Sequence, residues 1–109
     1  MSEVLCIETQ DQNFYGKITT DVYEIEWRFS QESQCCERPT VVFSQDINWL
    51  QGKKISSFDF NVYNRYAELI LIIEDNDNFE VRFQNDHNGY YPHNLDIYID
   101  GNIKWNTAL

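Results

Sequence analysis

Apolar and polar residues alternate with a period of two through much of the chain, the pattern of strands with one buried and one wet face. From Val22 to Phe29, the apolar Tyr23, Ile25, Trp27 and Phe29 are separated by Glu24, Glu26 and Arg28. Phe58, Phe60 and Val62 alternate with Asp59 and Asn61, while Ile55 lies out of phase, so a bulge near Ser56 and Ser57 is expected. Leu69 to Ile73 is apolar at every position, which predicts a central strand covered on both faces. Its expected partner is Phe79 to Phe83. Opposing Leu71 with Val81 and Leu69 with Phe83 keeps the apolar positions on one face and leaves Glu74 to Asn78 as a five-residue loop.

The last hairpin, Leu95 to Trp105, turns around Asp100-Gly101-Asn102. A two-residue loop would set Ile103 and Trp105 on the face of Asp96 and Tyr98. A three-residue loop, with Asn102 left-handed, pairs Ile99 with Ile103 and Ile97 with Trp105, and is therefore expected. The one helical candidate is short: Ser44 as N-cap, Asp46 in the first turn, Ile47 and Leu50 inward, and Gly52 as the stop. Val4 to Ile7 reads as a further strand, followed by a polar loop from Thr9 to Asn13. The pattern predicts a mainly β protein, with a β-rich α+β arrangement as the alternative. It is read as a single antiparallel sheet or small roll or sandwich of roughly six to eight short strands, with one short helix near 45–51.

Length and composition narrow the class. The 109 residues are read as one compact domain, 1–109, with room for a single core. Hydrophobic residues make up 42% and only 4 Gly and 2 Pro interrupt them, which argues against a disordered chain. Eighteen acidic side chains against eight basic ones give a formal net charge of −10. A chain of this sign repels phosphate backbones, so direct nucleic-acid binding is not expected, a basic protein partner is, and no membrane partner is assigned. No apolar run reaches the roughly 18 residues of a membrane span, and no basic segment precedes an apolar one at the N-terminus. With three cysteines, an odd number, reduced thiols in a cytoplasm fit best.

Three constellations could carry chemistry. Cys35-Cys36-Glu37 could hold a soft metal with His87 and His93. Zinc sites, however, usually space paired cysteines two to four residues apart, and adjacent residues diverge, so buried structural thiols are the stronger reading. A cysteine nucleophile with a histidine base has no spacing to support it. Glu74-Asp75-Asn76-Asp77-Asn78 resembles the start of a calcium loop but lacks its Gly and later Glu at their offsets, so a solvated turn is expected. Asn85-Asp86-His87-Asn88-Gly89-Tyr90-Tyr91-Pro92-His93 offers tyrosines, imidazoles and an acid on a loop, as a partner-binding loop does. No phosphate loop, serine nucleophile motif, HExxH or paired CxxC occurs, and no catalytic residue, metal or cofactor is assigned.

Cys35-Cys36-Glu37, Asp46-Ile47, Leu50-x-Gly52 and Asn88-Gly89-Tyr90-Tyr91 together resemble an uncharacterised family of small domains found in bacteriophages and bacteria, over roughly Cys35 to Ile97. The resemblance implies a phage or mobile-element setting and supplies no catalytic assignment. Charge supplies the functional expectation: a non-enzymatic inhibitor of the anti-defence (anti-CRISPR-like) or toxin-immunity type, occupying a basic, nucleic-acid-binding surface of its target. The expected partner-binding residues are Glu24, Glu26, Asp59, Glu74, Asp75, Asp77, His87, Tyr90 and Tyr91. Carboxylates two residues apart on a wet strand face stand about 7 Å apart, comparable with a phosphate ladder. Two alternatives are a ligand- or metal-binding domain or enzyme using Cys35-Cys36-Glu37 and the 87–93 loop as a pocket, and a virion structural or assembly protein joining copies through sheet edges.

Overall fold

A computed structural model describes residues 2–30, 38–86 and 93–109. Among these residues nine strands form one antiparallel sheet: β1 (Ser2–Gln10), β2 (Tyr15–Thr20), β3 (Glu24–Phe29), β4 (Arg38–Phe43), β5 (Lys54–Val62), β6 (Tyr66–Ile73), β7 (Asp77–Asp86), β8 (Asn94–Ile99) and β9 (Asn102–Ala108). Their order across the sheet is β4-β7-β6-β5-β1-β2-β3-β8-β9. The mainly β expectation holds. Strands β2 and β4 are the additions, and each carries a residue unusual within strands, Gly16 and Pro39. Gly16 is tolerated where an aromatic ring lies over it, and Pro39 where β4 forms a sheet edge.

The sheet folds over on itself at β1, whose Ser2 and Glu3 pair with β5 while Val4 to Gln10 pair with β2. A register shift between Val4 and Cys6 marks the corner, as bulges do where strands change sheet. The two halves thereby face each other through aromatic side chains. Trp27 of β3 meets Phe43 and Phe83 edge-on at 6.0 and 6.1 Å, Phe29 meets Phe83 at 5.8 Å, and Trp105 of β9 packs on Phe58 and Phe60 of β5. Ile18, Ile25, Leu69, Leu71, Val81, Leu95 and Ile97 complete one continuous core.

Trp27 is the keystone of the second half. Its indole N–H donates to the Asn13 carbonyl at 2.9 Å, and its ring crosses the backbone of its cross-strand neighbour Gly16 so closely that a Cβ there would sit 1.9 Å from the ring. The β1–β2 turn that brings Asn13 into place holds Asp11, Gln12 and Asn13 at positive φ. Left-handed backbone costs a non-glycine residue about 1 kcal/mol or more, and here the Trp27 hydrogen bond and the Phe14–Phe29 stack offset it.

Several expectations hold in detail. Of the expected inward set, Ile25, Trp27 and Phe29 are buried and Tyr23, just ahead of β3, is half-buried, and the β5 bulge falls between Ile55 and Ser57. The helical candidate is a 3-10 turn, Ile47–Leu50, with Ile47 and Leu50 inward and Gly52 at φ 80° behind it. Its cap is Asp46, which accepts from the Asn48 N–H. The Ser44 hydroxyl accepts instead from the Glu80 N–H, tying the connection to β7.

Two registers differ from expectation. Leu71 opposes Phe79 and Leu69 opposes Val81, two residues from the expected pairing. A slip of two preserves which face each side chain occupies, so alternation cannot detect it. The turn decides: Asp75 and Asn76 at positive φ close a tight 3-10 connection, and β7 begins at Asp77 opposite Ile73. At the last hairpin the loop is the two-residue Asp100-Gly101, both at positive φ as a primed turn requires. Ile99 pairs with Asn102 and Tyr98 with Ile103, and a register shift beyond Tyr98 restores the expected Ile97–Trp105 pair. The two-residue loop sets Ile103 opposite Tyr98 on the outer face, where it is exposed and where a three-residue loop would have turned it inward, and the bulge returns Trp105 to the inner face.

Candidate functional site

Folding the sheet over creates two outer faces that point in opposite directions, and the acidic positions expected to bind are divided between them. Glu24 and Glu26 lie on the outer face of β2-β3-β8-β9. Asp59 lies on the outer face of β4-β7-β6-β5, and Glu74, Asp75 and Asp77 lie at the β6–β7 turn at the end of that half. They do not form one patch.

The second-half face is a charge mosaic. Across the strands one row runs Glu8–Lys17–Glu26–Tyr98, and the next runs Tyr15–Arg28–Asp96–Asn106. Lys17 approaches Glu24 at 3.5 Å, and that carboxylate holds the Lys17 ammonium above its ordinary pKa. Arg28 donates Nε–H to Glu26 at 2.9 Å and pairs with it through a second nitrogen at 2.8 Å. The hydrogen bonds to Glu26 raise the guanidinium further into its charged range. The Arg28 plane also lies over Tyr98 at 5.2 Å and Tyr15 at 5.9 Å. Desolvation, followed by the charges of Glu26 and Glu8, raises the Tyr15 phenol pKa, so it stays protonated. Glu24 and Glu26 therefore each spend much of their field on a local cation.

The first-half face has a different centre. Its rows are Asn61–Glu68–Arg82–Val42 and Asp59–Ile70–Glu80, followed by Ser57–Ile72–Asn78. Arg82 pairs with Glu68 at 2.7 Å and lies over Tyr66 at 4.7 Å, and Tyr66 stacks on Tyr63 at 4.6 Å. Asp59 and Glu80 join none of the three ion pairs among the described residues. Ile70 stands between them and Ile72 stands in the next row between Ser57 and Asn78, both half-buried and neither part of the core cluster. This corrects the expectation that Leu69 to Ile73 is covered on both sides: Leu69, Leu71 and Ile73 are buried, and Ile70 and Ile72 face outward. Beside them a hollow of about 260 Å³ is lined by Val42, Phe43, Ser44, Glu80, Arg82 and Gln84, with Val42 55% exposed.

The acidic β6–β7 turn is a solvated turn, as its composition suggested, but it is not isolated. Glu74, Asp75 and Asp77 border a smaller hollow together with Lys53 and Lys54. Among the described residues no group of three or more His, Cys, Asp or Glu gathers in a way that could hold a metal ion. Cys35, Cys36, Glu37, His87, Tyr90 and Tyr91 lie outside the described residues. His93, expected on a displayed loop, is buried. Its Nδ1 is 2.9 Å from the Ser30 carbonyl, its ring meets Phe29, and its backbone pairs with Leu109 in both directions. It serves the core at the end of β8.

Sequence reasoning missed Val42, Ile70, Ile72, Glu80 and the two arginine–tyrosine clusters. The all-apolar run at 69–73 was the one available signal, and it pointed to a covering layer instead of an open face. Among the described residues no helix is long and apolar enough to cross a membrane. Compared with known proteins, the chain matches no family model, no curated protein and no solved structure.

Proposed function

We propose that this chain is a small acidic binding protein that acts by occupying a basic, nucleic-acid-binding surface of a protein partner. This would be an inhibitor of the anti-defence or toxin-immunity kind, of phage or mobile-element origin, working in the host cytoplasm. The observation that carries the reading is the outward display of carboxylates from rigid strands in a chain of net charge −10, with Asp59, Glu80, Asp96 and Glu8 outside the three local ion pairs among the described residues. Carboxylates fixed on a sheet lose little conformational freedom on binding, and their summed field speeds encounter with an electropositive channel.

The test is an affinity pull-down from host lysate at about 0.05 M and about 0.5 M salt, followed by competition with duplex DNA and single-stranded RNA. The reading expects a basic protein retained in a 1:1 complex at low salt, released at high salt and displaced by the nucleic acid it binds. Retention that ignores both salt and nucleic acid would overturn it.

A further inference from the structure

We infer that the outer face of β4-β7-β6-β5 is the docking surface, and that its occupant is a basic protein segment with apolar side chains interleaved between its Lys or Arg residues. The inference rests on the acidic-binder reading above and specifies which face is used and what the partner must carry.

The two faces differ in what they offer at the centre. On β3 the central outward positions are Glu24, Glu26 and Arg28, already tied to one another and to Lys17. A partner gains little by replacing interactions that the face makes with itself. On β6 the central outward positions include Ile70 and Ile72, adjacent on one face of one strand. Asp59 lies across from Ile70 on β5, Glu80 lies across from it on β7, and Glu68 is two residues away along β6. Two strands over and one row along from Ile70, in line with Arg82 and Glu68, the exposed Val42 borders the hollow beside Glu80 and Arg82. An apolar centre with a charged rim is the arrangement of a protein interface, where apolar contact supplies affinity and the rim supplies orientation and rate.

The charge of the rim selects the occupant. A second copy of this chain would bring another net charge of −10 and the same Asp59 and Glu80 against the first, and an anionic bilayer is repelled for the same reason. A purely basic segment would satisfy the rim and leave Ile70, Ile72 and Val42 against water. A segment alternating basic and apolar residues, laid along β6, satisfies both.

The test uses the full chain, isotope-labelled, with two peptides of about ten residues, one of alternating Lys and Leu and one of Lys alone. At ~3.3 Å per residue both are long enough to run along β6. Amide shifts concentrated on β6 and β7, and about tenfold tighter binding of the Lys-Leu peptide, are expected. Ile70→Thr and Ile72→Thr, each checked to remain folded with a cooperative melt, should remove that tenfold preference and leave binding of the Lys peptide within about twofold. Shifts concentrated on β2, β3 and β8, or a Lys-Leu preference that survives both variants, would overturn the docking face and leave the acidic-binder reading standing. Failure of both peptides to bind at low salt would overturn the inference and count against that reading as well.

Discussion

The two outer faces of the folded sheet share a strand geometry and a common device, an arginine paired with a glutamate and laid on tyrosine, yet they divide the work of the surface differently. On β2-β3-β8-β9, Arg28 spans two tyrosines and Glu26, and Lys17 answers Glu24, so the centre of the face closes on itself and leaves Glu8 and Asp96 outside the ion pairs at its flanks. On β4-β7-β6-β5, Arg82 closes one end with Glu68 and Tyr66, while Asp59, Ile70, Ile72 and Glu80 stay outside the pairing. The lesson is that counting acids along a sequence overstates how many of them face a partner. A carboxylate beside its own cation contributes mostly to local order, and the ones left over mark where a partner has something to gain.

The largest effect should come from the interior that holds the self-satisfied face in place. Gly16→Ala drives a methyl into the Trp27 ring, which is itself fixed by its hydrogen bond to Asn13. A loss of about 3 kcal/mol or more is expected by chemical denaturation. Trp27→Leu should be severe alone but should cost much less in the Gly16→Ala background, and additive losses would show that the ring is not what excludes the Cβ.

The next contrast lies within one strand. Leu71 and Ile70 are neighbours on β6, yet one is fully buried and the other looks outward. Leu71→Ala should cost about 3 kcal/mol, and Ile70→Thr less than about 1 kcal/mol, in the same denaturation experiment. Equal losses would mean that Ile70 is covered, and the open-face account would fall.

These contrasts also locate what the sequence could tell. Period-two alternation assigned Ile25, Trp27 and Phe29 of β3 and Ile97 of β8 to the interior correctly, because burial on one side leaves its mark at every second position, but Val62 at the end of β5 is exposed and the all-apolar run in β6 gave no alternation to read. The β5 bulge was legible because Ile55 breaks phase with Phe58. Registers were not, since a shift of two leaves the alternation unchanged, and the positive-φ residues Asp75, Asn76 and Asp100 that set the turns look like any polar loop. Strand β2 was not legible, because the reason for its Gly16, the Trp27 ring, comes from another strand. The candidate surface was half legible. Carboxylate positions were visible one by one, but whether each meets a cation depends on the neighbouring strand: Lys17 opposes Glu26 and reaches Glu24 only once β2 and β3 are paired.

The smallest effect separates the two arginine clusters themselves. Arg28→Gln and Arg82→Gln each remove one ion pair from a mostly exposed guanidinium, and such pairs are worth about 0.5 kcal/mol, fading as salt screens them. The tyrosine contacts are only partly electrostatic, because the guanidinium stem also covers ring surface, and that part survives salt. Arg28 lies over two rings and Arg82 over one. Both variants should therefore lose a few tenths of a kcal/mol at low salt, with Arg28→Gln keeping the larger share of its loss at about 0.5 M salt in matched denaturation curves. If both losses vanish together in salt, the tyrosines contribute no packing, and the second-half face is held by charge alone. It would then be open to a competing basic partner in the same way as its opposite, and the distinction between the faces would rest entirely on Ile70 and Ile72.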